Sequence, residues 1–579
     1  MPAELFTSGL LVEVAGSPLP PDVAALLASG WVESNANLLD MFLLRFRDDH
    51  NVVLEHGRLG IGAKVRLSVM TSAPGGPEPL MCGEVISVGL DADLDGTFTE
   101  VRGLDEAHRL LRGRRVVTYP DMSVADIVRK VAVRAGLRVG RIDPPPGPRG
   151  RPGAQINQDG VSDWDFLSRL ARRTGAHVSV TDGTLSFRLP EAPGTPEPGR
   201  ALALGDALLA LRATVTAQAQ TPALEVRGWD ADGKQPITAT ATPGAVESAV
   251  PGADPVALGE CFTAPAFLSG DSRHRTQADA DAAARTLAAD LGGAAAELEG
   301  LVRGDPLLRA GAVVTLAEVG EPFAGTYTLS SARHEFSATG GYTTAITVSA
   351  RQDRSLYALG NGPQPPAGAG LVPAVVSDVR DPDGKGRVRL SMPWLSADFT
   401  SGWARVAQPG AGAGRGALMP PEVGDEVLVG FENGDFDHPY VLGGLFNGQD
   451  APPSLAVPLI DDLSGQANAR ALVSRNGHRL ELLDAATGAG GVLIATGDGR
   501  LTVRLDDKAG TIAISGAAGV VVDAGSGPLT LKSAGRLTLK SAAGVKVDAG
   551  AGPLELDGAR VAVTGQADVV VRGTQVRIN

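Results

Sequence analysis

The stretch that decides the fold is residues 529–558, LTLKSAGRLTLKSAAGVKVDAGAGPLELDG. Within it, pairs of apolar residues separated by a single residue recur about every eight positions, with glycine between successive pairs. Alternation with a period of two is typical of a β-strand whose two faces differ. A spacing near eight fits one strand of about five residues followed by a tight turn. The stretch therefore predicts a repeated strand-and-turn unit.

The same pattern continues on both sides of this stretch. Apolar pairs begin at Val492 and run to residue 578, and from Ile512 the steps are 8, 9, 8, 8, 9, 7, 8 and 7. One chain of such short strands is too thin to enclose a core, whereas three chains around a shared axis would each supply one wall of a prism. We therefore predict an intertwined trimeric β-helix, or β-prism, over residues 488–579. The residues predicted to form its trimer core are Ile512, Ile514, Val520, Val522, Leu529, Leu531, Leu537, Leu539, Val545, Val547, Leu554, Leu556, Val561, Val563, Val569 and Val571.

Composition supports a narrow three-chain axis. The chain has 75 Gly, and glycine allows the positive φ that tight corners need. Its 14 Phe, 5 Trp and 5 Tyr all lie at or before Phe446, so the repeat contains only aliphatic residues that fit such an axis. Charged residues fall outside the apolar pairs, which indicates a solvated exterior; they include Lys532, Lys540, Lys546, Asp523, Asp548 and Asp557.

Several classes of protein are excluded by composition. A hydrophobic content of 43% is too high for a disordered chain, and the sequence has no run of about 18 apolar residues that would predict a membrane-spanning helix. Cys82 and Cys261 are too few for a disulfide framework or a zinc site. The formal charge of −14 argues against a nucleic-acid binder. A secretory signal begins with positively charged residues, whereas this N-terminus has Glu4 and Glu13 and no basic residue before them. No secretory signal is therefore predicted, and we expect synthesis and assembly in the cytoplasm.

Upstream of the repeat, the pattern predicts a mainly β protein with a few helices. Residues 1–360 form a hub region with an α/β insertion, 361–370 a Gly- and Pro-rich linker, 371–450 a small barrel, and 451–487 a neck. Helical spacing and caps predict helices over 122–136, 162–175 and 276–292. Alternation predicts strands over 65–70, 83–90, 177–182, 184–189, 223–229, 312–319, 326–337, 342–351, 387–392, 403–408, 425–431 and 440–446.

The small barrel carries a specific set of motifs. They read GKGRVRLSMPWL (384–395), SGWARVAQPGAG (401–412) and PPEVGDEVLVGFENGDFDHPYVLGGLFNG (420–448). This set closely resembles the OB-fold domain of VgrG-type spike proteins of contractile injection systems and phage baseplates. Two further segments, 159–178 and 325–348, resemble the hub of the same proteins more weakly.

The resemblance implies a non-enzymatic homotrimer without cofactor, metal or catalytic residues. Its barrel-like hub domains would meet a hexameric inner tube and baseplate wedge proteins in a phage-tail-like particle. Its spike would puncture the target membrane on firing. The resemblance also implies a PAAR-type tip protein or effector at the C-terminal end, docked on Val576, Ile578 and Asn579. Residues 451–487 are too few to hold the lysozyme domain that some phage needles carry at this point.

Some local motifs allow either a functional or a purely structural interpretation. Residues 91–102, DADLDGTFTEVR, begin like a calcium loop, but its twelfth position is Arg102 rather than Glu, which favours an acidic turn. The alternating glycines of 410–416 lack the context of a phosphate-binding loop and favour a flexible loop of the barrel. Asp435 and Asp437 are interpreted as turn residues, and His334 as structural.

A second hypothesis belongs to another class. A trimeric tail fibre that binds or degrades surface glycans would also use a β-helix, but it would need paired carboxylates or aromatic sugar platforms. The lack of aromatic residues after Phe446 counts against it. The sequence does not separate a type VI secretion spike from the spike of an extracellular phage-like particle.

Overall fold

The computed structural model describes residues 9–36, 38–70, 76–94, 96–144, 155–189, 199–244, 248–249, 254–262, 265–271, 274–337, 340–349 and 370–578. The predicted linker lies outside these ranges except for Gly370. The chain divides into two compact units, Met1–Asp450 and Ala451–Asn579.

The first unit is mostly β-structure up to residue 349. Its strands within the described residues are β1 (Gly9–Val14), β2 (Ser17–Pro18), β3 (Leu27–Asn35), β4 (Met41–Arg47), β5 (Lys64–Met70), β6 (Glu78–Asp93), β7 (Gly96–Leu104), β8 (Arg115–Pro120), β9 (Arg138–Ile142), β10 (Gln155–Val161), β11 (His177–Thr181), β12 (Thr184–Arg188), β13 (Arg200–Ala203), β14 (Leu208–Val215), β15 (Leu224–Asp230), β16 (Gln235–Ala241), β17 (Ser248–Ala249), β18 (Phe267–Gly270), β19 (Ala296–Arg303), β20 (Val313–Ala317), β21 (Gly325–Thr328), β22 (Ser331–Ser337) and β23 (Gly341–Val348). The helices are α1 (Pro21–Ala24), α2 (Val53–His56), α3 (His108–Leu111), α4 (Val124–Arg134), α5 (Asp163–Thr174), α6 (Pro255–Glu260) and α7 (Gln277–Gly293).

One large antiparallel sheet organises this hub. Its eleven strands run in the order β14-β19-β23-β22-β3-β4-β7-β6-β5-β1-β2 and curl into a half-barrel. Alternate side chains of β4, namely Phe42, Leu44 and Phe46, are buried in its core together with Val65 and Leu67 of β5. This burial of every second residue is what the alternating pattern predicts. The mainly β, barrel-like hub is confirmed.

The predicted helical insertion lies between β8 and β12. Helix α5 begins where Ser162 Oγ accepts a hydrogen bond from Asp165 N at 3.1 Å, and it ends at Gly175 with a φ of 71°. Its Phe166 and Leu167 are fully buried in a core shared with α4. The helices predicted over 122–136, 162–175 and 276–292 are confirmed as α4, α5 and α7.

The predicted strand 326–337 is wrong as a single element. It is two strands that belong to different sheets, since β21 pairs with β20 whereas β22 pairs with β23 and β3. The chain changes sheet at Leu329 and Ser330, whose backbone N–H groups donate to Ala312 O and Thr347 O. The alternation shifts by one residue at this change, since Tyr327 and Leu329 are buried before it but Ala332 and Phe336 after it. The shift falls at two consecutive polar residues, Ser330 and Ser331, and the prediction of one strand ignored it.

Residues 91–102 form the hairpin that joins β6 to β7. Asp91 carries an ion pair to Arg45 at 2.8 Å rather than facing a set of converging carboxylates. This geometry agrees with the acidic turn; Asp95 lies outside the described residues.

The OB part of the first unit follows the hub. Its elements are β24 (Val372–Asp378), β25 (Arg389–Ser391), β26 (Arg405–Val406), β27 (Ala411–Gly412), β28 (Arg415–Gly416), β29 (Glu426–Phe431), β30 (Pro439–Gly444) and a 3₁₀ turn (Glu432–Gly434). Five of the strands form one sheet with the order β25-β24-β29-β30-β26. Leu390, Val427 and Val429 are completely buried in its core, and the centroids of the Phe399 and Phe436 rings lie 5.4 Å apart. The glycine-rich segment, predicted as a flexible loop, forms the small hairpin β27–β28.

Polar contacts join the OB part to the hub within this unit. Asp437 Oδ1 accepts hydrogen bonds from both Asn157 N at 2.8 Å and Asn157 Nδ2 at 2.7 Å, and Arg173 Nη1 lies 3.4 Å from Asp437 Oδ2. Burial, and secondarily the charge of Asp435, raises the pKa of Asp437 to about 6. Burial also disfavours the ionised form of Asp435, but the hydrogen bond and charge of His438 together with the charge of Arg173 outweigh this and hold the pKa of Asp435 below its usual range. The two carboxylates are turn residues, and Asp437 also ties the OB part to the hub.

The second unit begins with an antiparallel meander. Its strands are β31 (Ala469–Val473), β32 (Arg479–Asp484), β33 (Gly490–Ala495), β34 (Leu501–Asp506) and β35 (Thr511–Gly516). Ala469 and Leu483 are buried in a small core, and the buried Glu481 pairs with Arg479 at 3.1 Å. The first repeat pairs thus lie in a sheet that a single chain completes by itself.

Candidate assembly surface

Beyond β35 the chain changes character. Residues 517–578 are all described, and none of them lies in a hydrogen-bonded strand of the single chain. Their corners are nevertheless well formed. In the motif DAGSGPL (523–529), Gly525 N donates to Asp523 Oδ1 and Gly527 N donates to Ala524 O. These contacts recur in DAGAGPL (548–554), where Asp548, Ala549, Gly550 and Gly552 take the same roles.

Positive φ values at two equivalent corner glycines agree with the role predicted for them. Gly525 has a φ of 58° and Gly550 a φ of 56°. Residues other than glycine rarely adopt this conformation, because their Cβ clashes with the backbone. The repeated motif therefore makes the same corner twice.

The apolar pairs of this tail are exposed in a regular way. The first member of each pair from Val520 to Val576 is 51–58% exposed, and the second member from Val522 to Val571 is 62–71% exposed. Ile578, the second member of the last pair, is 90% exposed. Side chains in successive repeats thus have nearly the same environment. The tail presents one continuous apolar face made of equivalent units.

The predicted trimer-core residues fall into two groups. Ile512 and Ile514 belong to β35, which is an edge strand of the meander, and both are exposed. The other fourteen lie in the tail. Of the predicted tip-docking residues, Val576 and Ile578 are exposed, and Asn579 lies outside the described residues.

Charged side chains occupy the opposite phase of the repeat. Lys532 and Lys540 follow their apolar pairs at equivalent positions, and Lys546 lies between the two members of its pair. All three are exposed, and Lys546 Nζ pairs with Asp548 at 2.7 Å. Sequence reasoning found these lysines but did not include Arg536, nor the order of positive and negative residues along the tail. The order of basic and acidic residues can be taken from the sequence once the apolar pairs have been located.

Among the described residues, no group of three or more His, Cys, Asp or Glu side chains is arranged to hold a metal ion. No helix in the same ranges has the length and apolar character needed to cross a membrane. His334, interpreted as structural, is buried in the hub, where its Nδ1 lies 2.9 Å from Tyr342 Oη.

Comparison with known proteins places the OB part in a defined class. Residues 372–446 match the family model of the type VI secretion system/phage-baseplate injector OB domain. Residues 77–338 match the model of the Alg8 N-terminal domain. The first match covers the motifs that predicted an OB fold, and the OB fold is confirmed.

Two curated relatives of the OB part are spike proteins of the VgrG type. The chain is 40% identical over 75 residues to the type VI secretion system spike protein VgrG3 of Vibrio cholerae, which is 12% of this chain and 7% of that protein. It is 39% identical over 72 residues to the spike protein VgrG2a of Pseudomonas aeruginosa, or 12% of this chain and 9% of that protein. The matches thus span less than a tenth of either relative. The predicted resemblance to VgrG-type spike proteins is confirmed.

Solved structures with a similar fold cover more of the chain. A type VI secretion system component of E. coli, described as similar to T4 bacteriophage tail proteins, covers 75% of this chain and 99% of its own, with a TM-score of 0.45 and 16% identity. The half-lidded PdpA–VgrG complex of Francisella covers 88% of both chains, with a TM-score of 0.49 and 8% identity.

Proposed function

We propose that this chain is a structural, homotrimeric baseplate hub and membrane-puncturing spike of a contractile injection system. The observation that carries the proposal is the continuous face of equivalent, exposed apolar pairs in a chain that also contains an injector OB domain.

Burial of this face is the physical reason for a trimer. Soluble monomers rarely expose a contiguous apolar surface of this length. Each aliphatic side chain that is buried rather than exposed stabilises the assembly by about 1.5–3 kcal/mol, so association is strongly favoured. The tail makes no strand ladder within its own chain, so its backbone groups also need partners. Two further copies of the same tail satisfy both demands. Their side chains fill one axis, and their strands pair across the chain boundaries.

The mechanism is mechanical rather than catalytic. An intertwined rod of layers about 4.8 Å apart is stiff, and sheath contraction would concentrate its force on the small tip. The hub, with its barrel-like domains doubled into a pseudo-sixfold ring, would join the rod to a hexameric inner tube and to wedge proteins. The injector OB match favours this role over that of a glycan-binding tail fibre.

The mass of the intact chain in solution tests the proposal. Light scattering should give three times the 59.2 kDa of one chain, without dependence on protein concentration down to the dilute limit of detection. A stable, folded monomer would overturn the trimer and with it the spike.

The tip surface is tested separately. We expect Val576 and Ile578 to dock a PAAR-type tip protein or an effector, because they end the apolar face of the tail. Replacing both by Ser should leave the trimer mass unchanged and abolish capture of a purified PAAR-type protein. Capture at undiminished strength would place the tip contact elsewhere.

A further inference from the structure

Between residues 524 and 559 the charges of the tail form two bands, one basic and one acidic. Between residues 524 and 547 every charged residue is basic, and these four are Lys532, Arg536, Lys540 and Lys546, here called the basic belt. Between residues 548 and 559 every charged residue is acidic, namely Asp548, Glu555 and Asp557. The formal charge of the whole chain is −14, so the belt opposes the average charge of the protein.

Three of the four belt side chains are free to bind something outside their own chain. All four side chains are exposed, and Lys546 is paired with Asp548. Within the described tail, Lys532, Arg536 and Lys540 make neither an ion pair nor a hydrogen bond through their side chains. Lys532 and Lys540 occupy the same position in two successive copies of the motif LTLKSA, at 529–534 and 537–542. They therefore have the same phase in two successive repeats.

We infer that the basic belt is a ring-shaped binding surface for the anionic phospholipid headgroups of a target membrane. This inference rests on the proposed trimeric spike, in which three chains bring four cations each to the same short length of shaft. The belt spans three repeats, or about 14 Å of shaft at the spacing of stacked strands. The headgroup layer on each side of a bilayer is about 5–8 Å thick, so the belt is tall enough to reach through one such layer.

The shape of the belt favours lipid over a folded protein partner. A ring of cations around a shaft is contacted on all sides only by a partner that encircles it. Lipids diffuse laterally, so anionic headgroups collect around a penetrating rod without any matching fold. Each exposed Lys or Arg near an anionic leaflet adds to the attraction, which decays within a Debye length of about 8 Å at physiological salt. The segment nearer the tip carries a slight excess of acidic residues, because Asp548, Glu555, Asp557 and Asp568 stand against Arg560, Arg572 and Arg577, so the belt is the more strongly attracted part of the tail.

Vesicle flotation of the full-length protein tests the inference. Vesicles of phosphatidylcholine alone should bind little, whereas those with phosphatidylglycerol in about a two-to-one ratio should bind strongly at low salt and weakly at high salt. The variant K532Q/R536Q/K540Q should lose this binding by about tenfold or more. It leaves Lys546 and its pair with Asp548 intact. The matched control R114Q/R212Q/K234Q removes the same charge from exposed hub positions and should bind like the unmodified chain.

Light scattering of each variant separates this inference from the spike itself. A variant that keeps the trimer mass and loses flotation supports the belt. Equal flotation of the belt variant and the unmodified chain overturns it, as does equal binding to neutral vesicles. A belt variant that falls apart into monomers overturns it as well, because the cations would then be pairing with carboxylates of neighbouring chains. An unmodified chain that is monomeric contradicts the proposed function, whatever the vesicles show.

Discussion

The OB part and the tail use the same alternating valines to opposite effect. In β29, Val427 and Val429 are completely buried by the side chains of the same chain. In the tail, Val545 and Val547 have the same spacing but are 58% and 62% exposed. The strand pattern is alike; what differs is the surrounding chain. A five-stranded sheet supplies a core around β29, whereas the tail has only its own thin wall. Alternation therefore specifies which face of a strand is apolar. Whether one chain can bury that face depends on whether the rest of the chain folds into a core around it.

The largest effect is expected from a charge placed on the apolar face of the tail, which tests whether that face is buried between chains. Val545→Asp should prevent trimerisation, because three carboxylates would meet at one axial layer without compensating cations, and each buried charge costs several kcal/mol. Light scattering should then show monomers or frayed assemblies.

The matched control is Val521→Asp, which places the same charge in the opposite phase of the repeat. Val521 is 90% exposed and is flanked by the members of an apolar pair. This variant should keep the trimer mass. If both variants behave alike, the assignment of the two faces is wrong.

A smaller effect distinguishes a core made by one chain from a core made by three. Leu390→Ala in the OB part should lower the free energy of unfolding of the first unit by about 2–5 kcal/mol, since Leu390 is fully buried. Because that core belongs to one chain, the urea midpoint should not depend on protein concentration.

Leu537→Ala in the tail should instead give a transition that shifts with protein concentration, because its loss weakens association. Unfolding curves at two concentrations about tenfold apart make the comparison. A concentration-independent tail transition would show that the tail folds without partners.

The smallest expected effect concerns Asp437 at the contact between the OB part and the hub. Its pKa of about 6 in the folded protein lies above the ordinary value of 3.8, so the folded state binds the proton more tightly than the unfolded state. The first unit should therefore gain stability from this group as the pH falls through 6 towards 4, by at most about 1–3 kcal/mol. Asp437→Asn should remove that part of the pH dependence, as measured by urea midpoints across this range.

Asp398→Asn serves as the control, since Asp398 is an exposed carboxylate of the same OB part. It should leave the pH profile of the unmodified chain in place. A profile for Asp437→Asn that is superimposable on that of the unmodified chain would contradict the assignment.

Features that depend only on residues close together in the sequence could be predicted. The ends of α5 need only Ser162, Asp165 and Gly175, which all lie within the predicted helix 162–175. The corners at Gly525 and Gly550 are equally local, whereas the trimer core assigned from the phase of the apolar pairs stays a prediction.

Strand β24 was missed because Pro373 interrupts its pattern. Proline has no N–H to donate and is uncommon in a paired strand. Here Pro373 is opposite Leu428 of β29, whereas the pairing with β25 begins only at Val375. The side of the strand that Pro373 leaves open is used by Trp394, whose Nε1–H donates to Pro373 O at 2.8 Å. The missing N–H of Pro373 is tolerated because β25 does not pair at this position, and a residue 21 positions away satisfies its carbonyl.

The contact between Asp437 and Asn157 could not be predicted for a related reason. The two residues are 280 positions apart, and neither lies in a motif that announces a partner. Only the folded hub brings β10 next to the turn that follows β29. Long-range polar contacts of this kind depend on the arrangement of whole domains.

If the proposed trimer forms, the equivalence of the tail repeats sets the length of the spike. Each unit would contact only its neighbours along the axis, so its contribution would not depend on how many units precede it. Duplicating the eight residues Leu529–Arg536 would lengthen the rod by about 4.8 Å and leave every other layer unchanged. The reach of such a spike is therefore set by counting repeats, and it can be altered without redesigning a core.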